Sequence, residues 1–347
     1  MDDQHLADGL QPAPRNPMGH APLRRAHSFR RTSSIDVTWP EGYGGPGDFV
    51  GVARDVFTRQ AGSHPRIVGL GRVHALLGPD RVIREIQTEP RRDGAGLLVG
   101  LNGGSTLRKA IDTALPEDSV SGTPLFLLID DLAGTSLIAN WAWSRWADDW
   151  LKDFVPVLEH EALQARVAKM TDICTGFRTG SAALADIRGL QQNCQRVVPL
   201  PHPDDALGFH SLTEHKEVSM RRARRIDVWE QHGLIHIDST FQDSANAPEG
   251  GRVAVHEYGL RATADPKTMA LCSVQADPRI LPYRECPAAA QNVSRLLGTP
   301  LGELRSVVLK ELRRADGCTH LNDALRALAE IPLMVGALRS NSENNRL

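Results

Sequence analysis

Residues 30–37 read RRTSSIDV and residues 221–228 read RRARRIDV. The pattern Arg-Arg-x-x-x-Ile-Asp-Val thus occurs twice with identical spacing. Further pairs follow in the same order. Gly78 to Pro90 (GPDRVIREIQTEP) pairs with Asp265 to Pro278 (DPKTMALCSVQADP), each a turn and then an alternating strand. Leu97 to Ile111 pairs with Leu281 to Val293, each a loop running into a helix. Ile129-Asp130-Asp131-Leu132 pairs with Cys318-Thr319-His320-Leu321, each expected to open a helix. One match could arise by chance, but several in register imply an internal duplication.

The second copy shows the unit best. Arg225 to Glu230, Leu234 to Phe241, Val253 to Ala262 and Met269 to Ala276 alternate as half-buried strands. Gln231-His232-Gly233, residues 246–251 and Asp265-Pro266 mark the turns. Pro287 to Leu297 reads as a helix stopped by Gly298, and Thr299-Pro300 restarts one through Leu301, Leu304, Val308 and Leu312. A last helix runs Leu321 to Glu330, halted before Pro332. The expected fold is α+β: two tandem repeats, each an antiparallel β-meander covered by helices on one face. The expected segments are 1–29, a disordered tail; 30–150, the first repeat; 151–219, a helical connector; 220–337, the second repeat; and 338–347, a tail.

The chain has 347 residues, with 40 Lys+Arg against 42 Asp+Glu and 41% hydrophobic residues. This is globular composition, long enough for about two domains. The near-zero net charge gives no basic excess for nucleic acid. No run approaches the ~18 apolar residues of a membrane span, and no secretory signal is visible. Five cysteines make no disulfide framework. A cytoplasmic protein with no nucleic-acid or membrane partner is expected. Trp143, Trp146 and Trp150 fall on one face of a helical region spanning Ile138 to Met170 and read as a packing stripe. The Arg24-Arg25, Arg30-Arg31 and Arg221-to-Arg225 clusters read as solvated strand entries pairing with nearby carboxylates. Gly100-x-x-Gly103-Gly104-Ser105 lacks the spacing of a phosphate loop and reads as a tight turn.

The chemistry-bearing residues gather in the second copy. Cys286 precedes Pro287 and Cys318 follows Asp316-Gly317, both at expected helix starts. A thiolate there is favoured by unpaired N–H groups, and apolar burial opposes it. With His320 they would supply two sulfurs and a nitrogen, a donor set suited to zinc or iron. His256-Glu257 lies on a strand, so only one of the two can enter that site. His256 could ligate, or Glu257 could act as general base. Asn322 and Asp323 would cap or orient from the helix. Cys174, Cys194 and Cys272 read as packing residues, with Cys272 in the core. The first copy has Gly103-Gly104 and Asp130-Asp131 where the second has its thiols and imidazole. Asp130-Asp131 reads as a helix cap, or as carboxylates reaching the same cleft.

At these residues the chain resembles a bacterial family catalogued as domain of unknown function 2889. The resemblance rests on His256-Glu257, Pro282-Tyr283 with Cys286, the helix to Leu297-Gly298, and Gly317-Cys318-Thr319-His320-Leu321. The family reads His-Asp, Pro-Tyr-x-x-Cys and Gly-Cys-Thr-His-Leu, so Glu257 replaces an Asp and keeps the carboxylate. The similarity spans Arg221 to about Leu333. Many members have one repeat, and this chain resembles a longer, duplicated version. In shape the layout also resembles NifU/SufE-type iron–sulfur scaffolds. Those use three Cys and an Asp, whereas here two Cys remain with His320.

These residues suggest a small-molecule enzyme of hydrolase or lyase type, with a single site per chain. Cys286, Cys318 and His320 would bind zinc or iron or provide a reactive thiol. Glu257, His256 and Cys286 are the catalytic candidates. The alternatives are a non-enzymatic metal or iron–sulfur handling protein and a structural interaction module. The two repeats would pair within the chain, as a homodimer of single-repeat relatives would.

Overall fold

The computed structural model describes residues 16–146, 160–186 and 192–343. Four strands come first: β1 (Ser28–Thr38), β2 (Gly47–Thr58), β3 (Arg66–Leu77) and β4 (Ile83–Glu89). Helices α1 (Ser105–Ala114), α2 (Pro116–Ser121) and α3 (Pro124–Ile138) follow, then a 3-10 turn Ala139–Arg145. Next come α4 (His160–Met170), the short α5 (Ala182–Ala185) and β5 (Gln195–Val197). A second run of strands is β6 (Ser219–Gln231), β7 (Leu234–Asn246), β8 (Arg252–Ala264) and β9 (Leu271–Ile280). A 3-10 helix Cys286–Leu296 leads to α6 (Leu304–Glu311), α7 (Thr319–Arg326) and α8 (Ile331–Glu343).

The fold is α+β, with one nine-stranded sheet ordered β4-β3-β2-β1-β6-β7-β8, where β8 also pairs β5 and β9. Every pairing is antiparallel. The centre is the β1–β6 pair, in register from Ser28↔Trp229 to Thr38↔Ser219. Both strands are buried on both faces along most of their length. Alternation is therefore lost there, as in any strand covered on both sides.

One face carries the helices. An apolar cluster around Ile35, Val73, Leu107 and Leu132 lies under α1 and α3, and another around Ile226, Tyr258, Leu304 and Leu328 lies under the C-terminal helices. Helix α3 is buried on all sides. By length and composition alone Pro124–Arg145 could cross a membrane, contrary to the sequence expectation, yet 83% of its most apolar 18-residue stretch is buried inside the protein. That is the signature of a core helix. Gly71 lets α3 sit down on β3, because a Cβ there would come 2.6 Å from the Leu125 amide nitrogen.

The other face, over β1 and β6–β8, is covered by residues 16–27 and 199–215. Met18 N–H donates to Glu257, Ala21 N–H to Leu200 O, and Arg24 forks onto Asp205. Residues 16–27 are thus packed chain rather than tail, while 1–15 lie outside the described residues. At the other end α8 continues through 338–343, because Pro332 occupies its first turn, where proline's missing N–H costs nothing. The Trp region is not one helix: α3 gives way to the 3-10 turn carrying Trp141 and Trp143, and Trp150 lies outside the described residues. Trp143 packs edge-on against Trp39 and Tyr43. Asp130-Asp131 does not open a helix. It lies mid-way along α3, whose N-cap is Thr123, accepting from Phe126 N–H. Cys272 is exposed although it shares the alternation of Val274 and Ala276, because the register shifts there: Ala264 pairs Leu271 and Thr263 pairs Ser273, leaving Cys272 unpaired between them.

Candidate metal centre

Three adjacent strands bring polar groups to one level of the helix-covered face. Arg222 on β6 stands opposite Asp243 on β7, and Asp243 stands opposite His256 on β8. A bulge follows Asp243. From above, α7 starts at its N-cap Cys318 and brings His320 down within its first turn. The His256 and His320 rings stack, with centroids 3.4 Å apart and planes 18° from parallel. Phe241, two residues before Asp243 on the same face, lies under the Arg222 and Arg224 guanidiniums and 6.2 Å from the His320 ring.

Asp243 is fully buried. Burial would raise its pKa, but the Arg222 guanidinium, bonded to both its oxygens, outweighs this and holds it well below the carboxylate range. Burial pushes His256 down despite Asp243. It pushes His320 further down, helped by repulsion from His256. Both imidazoles are therefore neutral at neutral pH, the form that binds metal.

The donor atoms converge. Asp243 Oδ2 lies 3.4 Å from His256 Nδ1 and 3.7 Å from His320 Nε2. All three ligand atoms lie within 4.8 Å of one another. Tetrahedral zinc, with bonds of about 2.1 Å, separates its donors by about 3.4 Å. Neither imidazole nitrogen has a hydrogen-bond partner in the protein.

A charge network backs the site. Arg222 bridges Asp243 to Asp323 on α7, which also takes Arg108 from α1. Asp130 is held by Arg108, Arg305 and Arg326, and Glu330 joins Arg305 to Arg31, which forks onto Asp55. Arg224 forks onto Asp131. The arginines and carboxylates balance in charge, as buried ions must. Apart from the exposed Arg25, the clustered arginines are thus buried rather than solvated, paired with carboxylates as expected, and Asp131 and Asp130 serve the network rather than a helix cap.

The thiols lie beside this centre. Among the described residues, the sulfurs of Cys286 and Cys318 do not join His320 in a close donor set; Asp243 and His256 do. Cys286 and Cys318 are buried in the apolar cluster with Tyr258. Cys286 and Cys174 both lie against Gly176, where a Cβ would meet the Cys286 sulfur at 2.7 Å. Burial pushes Cys286 well up and Cys318 up, although the Leu321 and His320 amides face the Cys318 sulfur and pull it down. Burial outweighs the helix-start effect, and these thiols stay protonated at neutral pH. Glu257 points to the opposite face of the sheet, where it accepts from Gln242 and Met18 N–H. Sequence reasoning missed Asp243. The expected strand ended at Phe241, before the polar Gln242, Asp243 and Ser244, although the Asp243–Arg222 pairing was a signal available once the strands were registered.

Residues 220–334, roughly a third of the chain, match the model of a family described as protein of unknown function, DUF2889. No curated protein and no solved structure matches the chain.

Proposed function

We propose that the DUF2889 segment binds one divalent metal ion of zinc type at Asp243, His256 and His320, and that the chain is a cytoplasmic enzyme of hydrolase or lyase type acting on a small molecule there. The observation that carries this reading is the convergence of two neutral, unpartnered imidazole nitrogens on Asp243 Oδ2 at near-tetrahedral spacing. Arg222 and Asp323 then orient the carboxylate ligand from behind, as outer hydrogen-bond partners do in metal sites. His320 keeps 14% of its side chain exposed, which supports an approach for substrate from the α7 side. A metal with an open position supplies an activated water or a polarised carbonyl. Cys286 and Cys318 frame the site as its apolar wall.

The same reading takes the chain as a duplication with one site. The strand order β4-β3-β2-β1-β6-β7-β8-β9 reads alike from both ends. Arg30 pairs with Asp227 as Arg221 pairs with Asp36 across the central strands. Arg31 faces Asp55 as Arg222 faces Asp243, and a bulge follows each aspartate. Opposite Asp55 stands Gly69, where Asp243 has His256. The first copy keeps the ion pair and lacks the imidazole.

A second reading, a metal held without catalysis, is favoured by the depth of Asp243 and His256. The test is zinc titration of chelator-treated protein, wild type beside His320→Ala, followed by hydrolase and lyase assays on the loaded form. One equivalent bound by the wild type and lost in the variant supports the site. Absence of binding in the wild type overturns it. Binding without turnover on any substrate favours the second reading.

A further inference from the structure

Glu257 faces away from the imidazoles, into a cleft of about 200 Å³ on the other side of the sheet. Thr240, Gln242 and Ala223 form its floor, and Met18 to Pro22 roof it. Leu200, Phe209 and Arg261 also line it, as do Arg224 and Arg225, whose charges are taken by Asp131 and by Asp227 and Asp238.

Glu257 is exceptional in its charge environment. The other buried carboxylates each hold an arginine: Asp36 with Arg221, Asp118 with Arg92, Asp227 with Arg30, Glu285 with Arg284, and the network acids as above. Glu257 is 2% exposed and, among the described residues, forms no ion pair within 4 Å, Arg279 attracting it only from farther off. Its oxygens each accept one neutral donor, the Gln242 amide and the Met18 N–H, at 2.9 and 2.8 Å. A carboxylate has about four acceptor positions, so half remain open. A buried carboxylate without a bonded cation is costly.

We infer that this cleft is a binding site for a small organic cation, a primary ammonium on an apolar body, with Glu257 as its counter-ion. The ammonium takes the place an arginine occupies at the other buried acids. Its donors meet the free acceptor positions of Glu257 and the Thr240 hydroxyl, and its apolar body lies against Ala21, Leu200, Phe209 and Ala223. This site is separate from the metal centre and does not depend on it.

The test uses metal-free full-length protein and calorimetric titration with n-butylammonium and benzylammonium, beside the isosteric n-butanol and benzyl alcohol. The expected result is saturable binding of at least one ammonium, at least tenfold weaker for the matching alcohol. Glu257→Gln should weaken ammonium binding at least tenfold while keeping the wild-type circular dichroism spectrum. Ala223→Leu, which fills the floor without touching the carboxylate, should weaken it too. No ammonium binding, equal binding of the alcohol, or unchanged binding in folded Glu257→Gln overturns the inference.

Discussion

The His256 and His320 rings lie face to face with centroids 3.4 Å apart, one on a strand and one on the first turn of the helix above it. At that distance both cannot carry a proton, since like charges in a buried site repel strongly. The pair is neutral, and one nitrogen of each ring lies within 4 Å of the same carboxylate oxygen, Asp243 Oδ2.

The first prediction concerns acid stability. His210 is buried between Thr32 and Ser34, and burial drives its pKa down to about 3. Unfolded histidine titrates near 6.5, so between those values the unfolded chain binds the proton and the folded one does not. Stability is therefore full above about pH 6.5 and falls as pH drops, by up to ~1.4 kcal/mol per pH unit for each such histidine. His256 and His320 shift in the same direction and add to the slope. Urea midpoints between pH 7 and 4.5 should decline, and His210→Gln should flatten the decline.

Removing Arg222 tests the network. Arg222→Met leaves Asp243 and Asp323 buried without their bridge and should cost about 3–5 kcal/mol in urea unfolding. Arg222→Met combined with Asp243→Leu should cost less than Arg222→Met alone, because the double variant removes the stranded charge. A loss in the double variant equal to the sum of the two single losses would mean that the pair is not coupled.

Gly71→Ala should lift α3 from β3. The new methyl would meet Leu125 backbone, which cannot swing away as a side chain could. A loss of about 1–3 kcal/mol is expected from such overpacking, measured by thermal or urea unfolding.

Thiol labelling should run in a set order. Cys272 is exposed and should react first, Cys174 and Cys194 more slowly, and Cys286 and Cys318 only on unfolding. Cys272→Ser should remove the fast phase of a thiol–disulfide reagent assay.

Much of the architecture was legible in the chain. The four C-terminal strands, their turns and the stop at Gly298 follow from alternation and turn residues; the structure extends the first three and moves the fourth from Met269–Ala276 to Leu271–Ile280. Strand ends were misjudged where polar residues continue a buried strand. Gln242 and Asp243 fall past the expected strand end at Phe241 until Arg222 is registered opposite Asp243. Arg-Arg pairs look solvated for the same reason, since a buried arginine is recognisable only with its partner, and Asp131 lies far from Arg224 in sequence. Proline at 332 and the apolar run of α3 carry two meanings each, and only packing decides between them. His256 and His320 stood out as residues. Their convergence needed the β8–α7 contact, which no spacing encodes.

Cobalt(II) titration of chelator-treated protein tests the central claim most directly, because its spectrum reports both geometry and donor type. The account expects one equivalent with the intense visible bands of a low-coordinate nitrogen and oxygen site, no near-ultraviolet thiolate charge-transfer band, and loss of the spectrum in His256→Ala and His320→Ala but not in Cys318→Ser. A strong thiolate band abolished by Cys318→Ser, or no cobalt uptake at all, would contradict it.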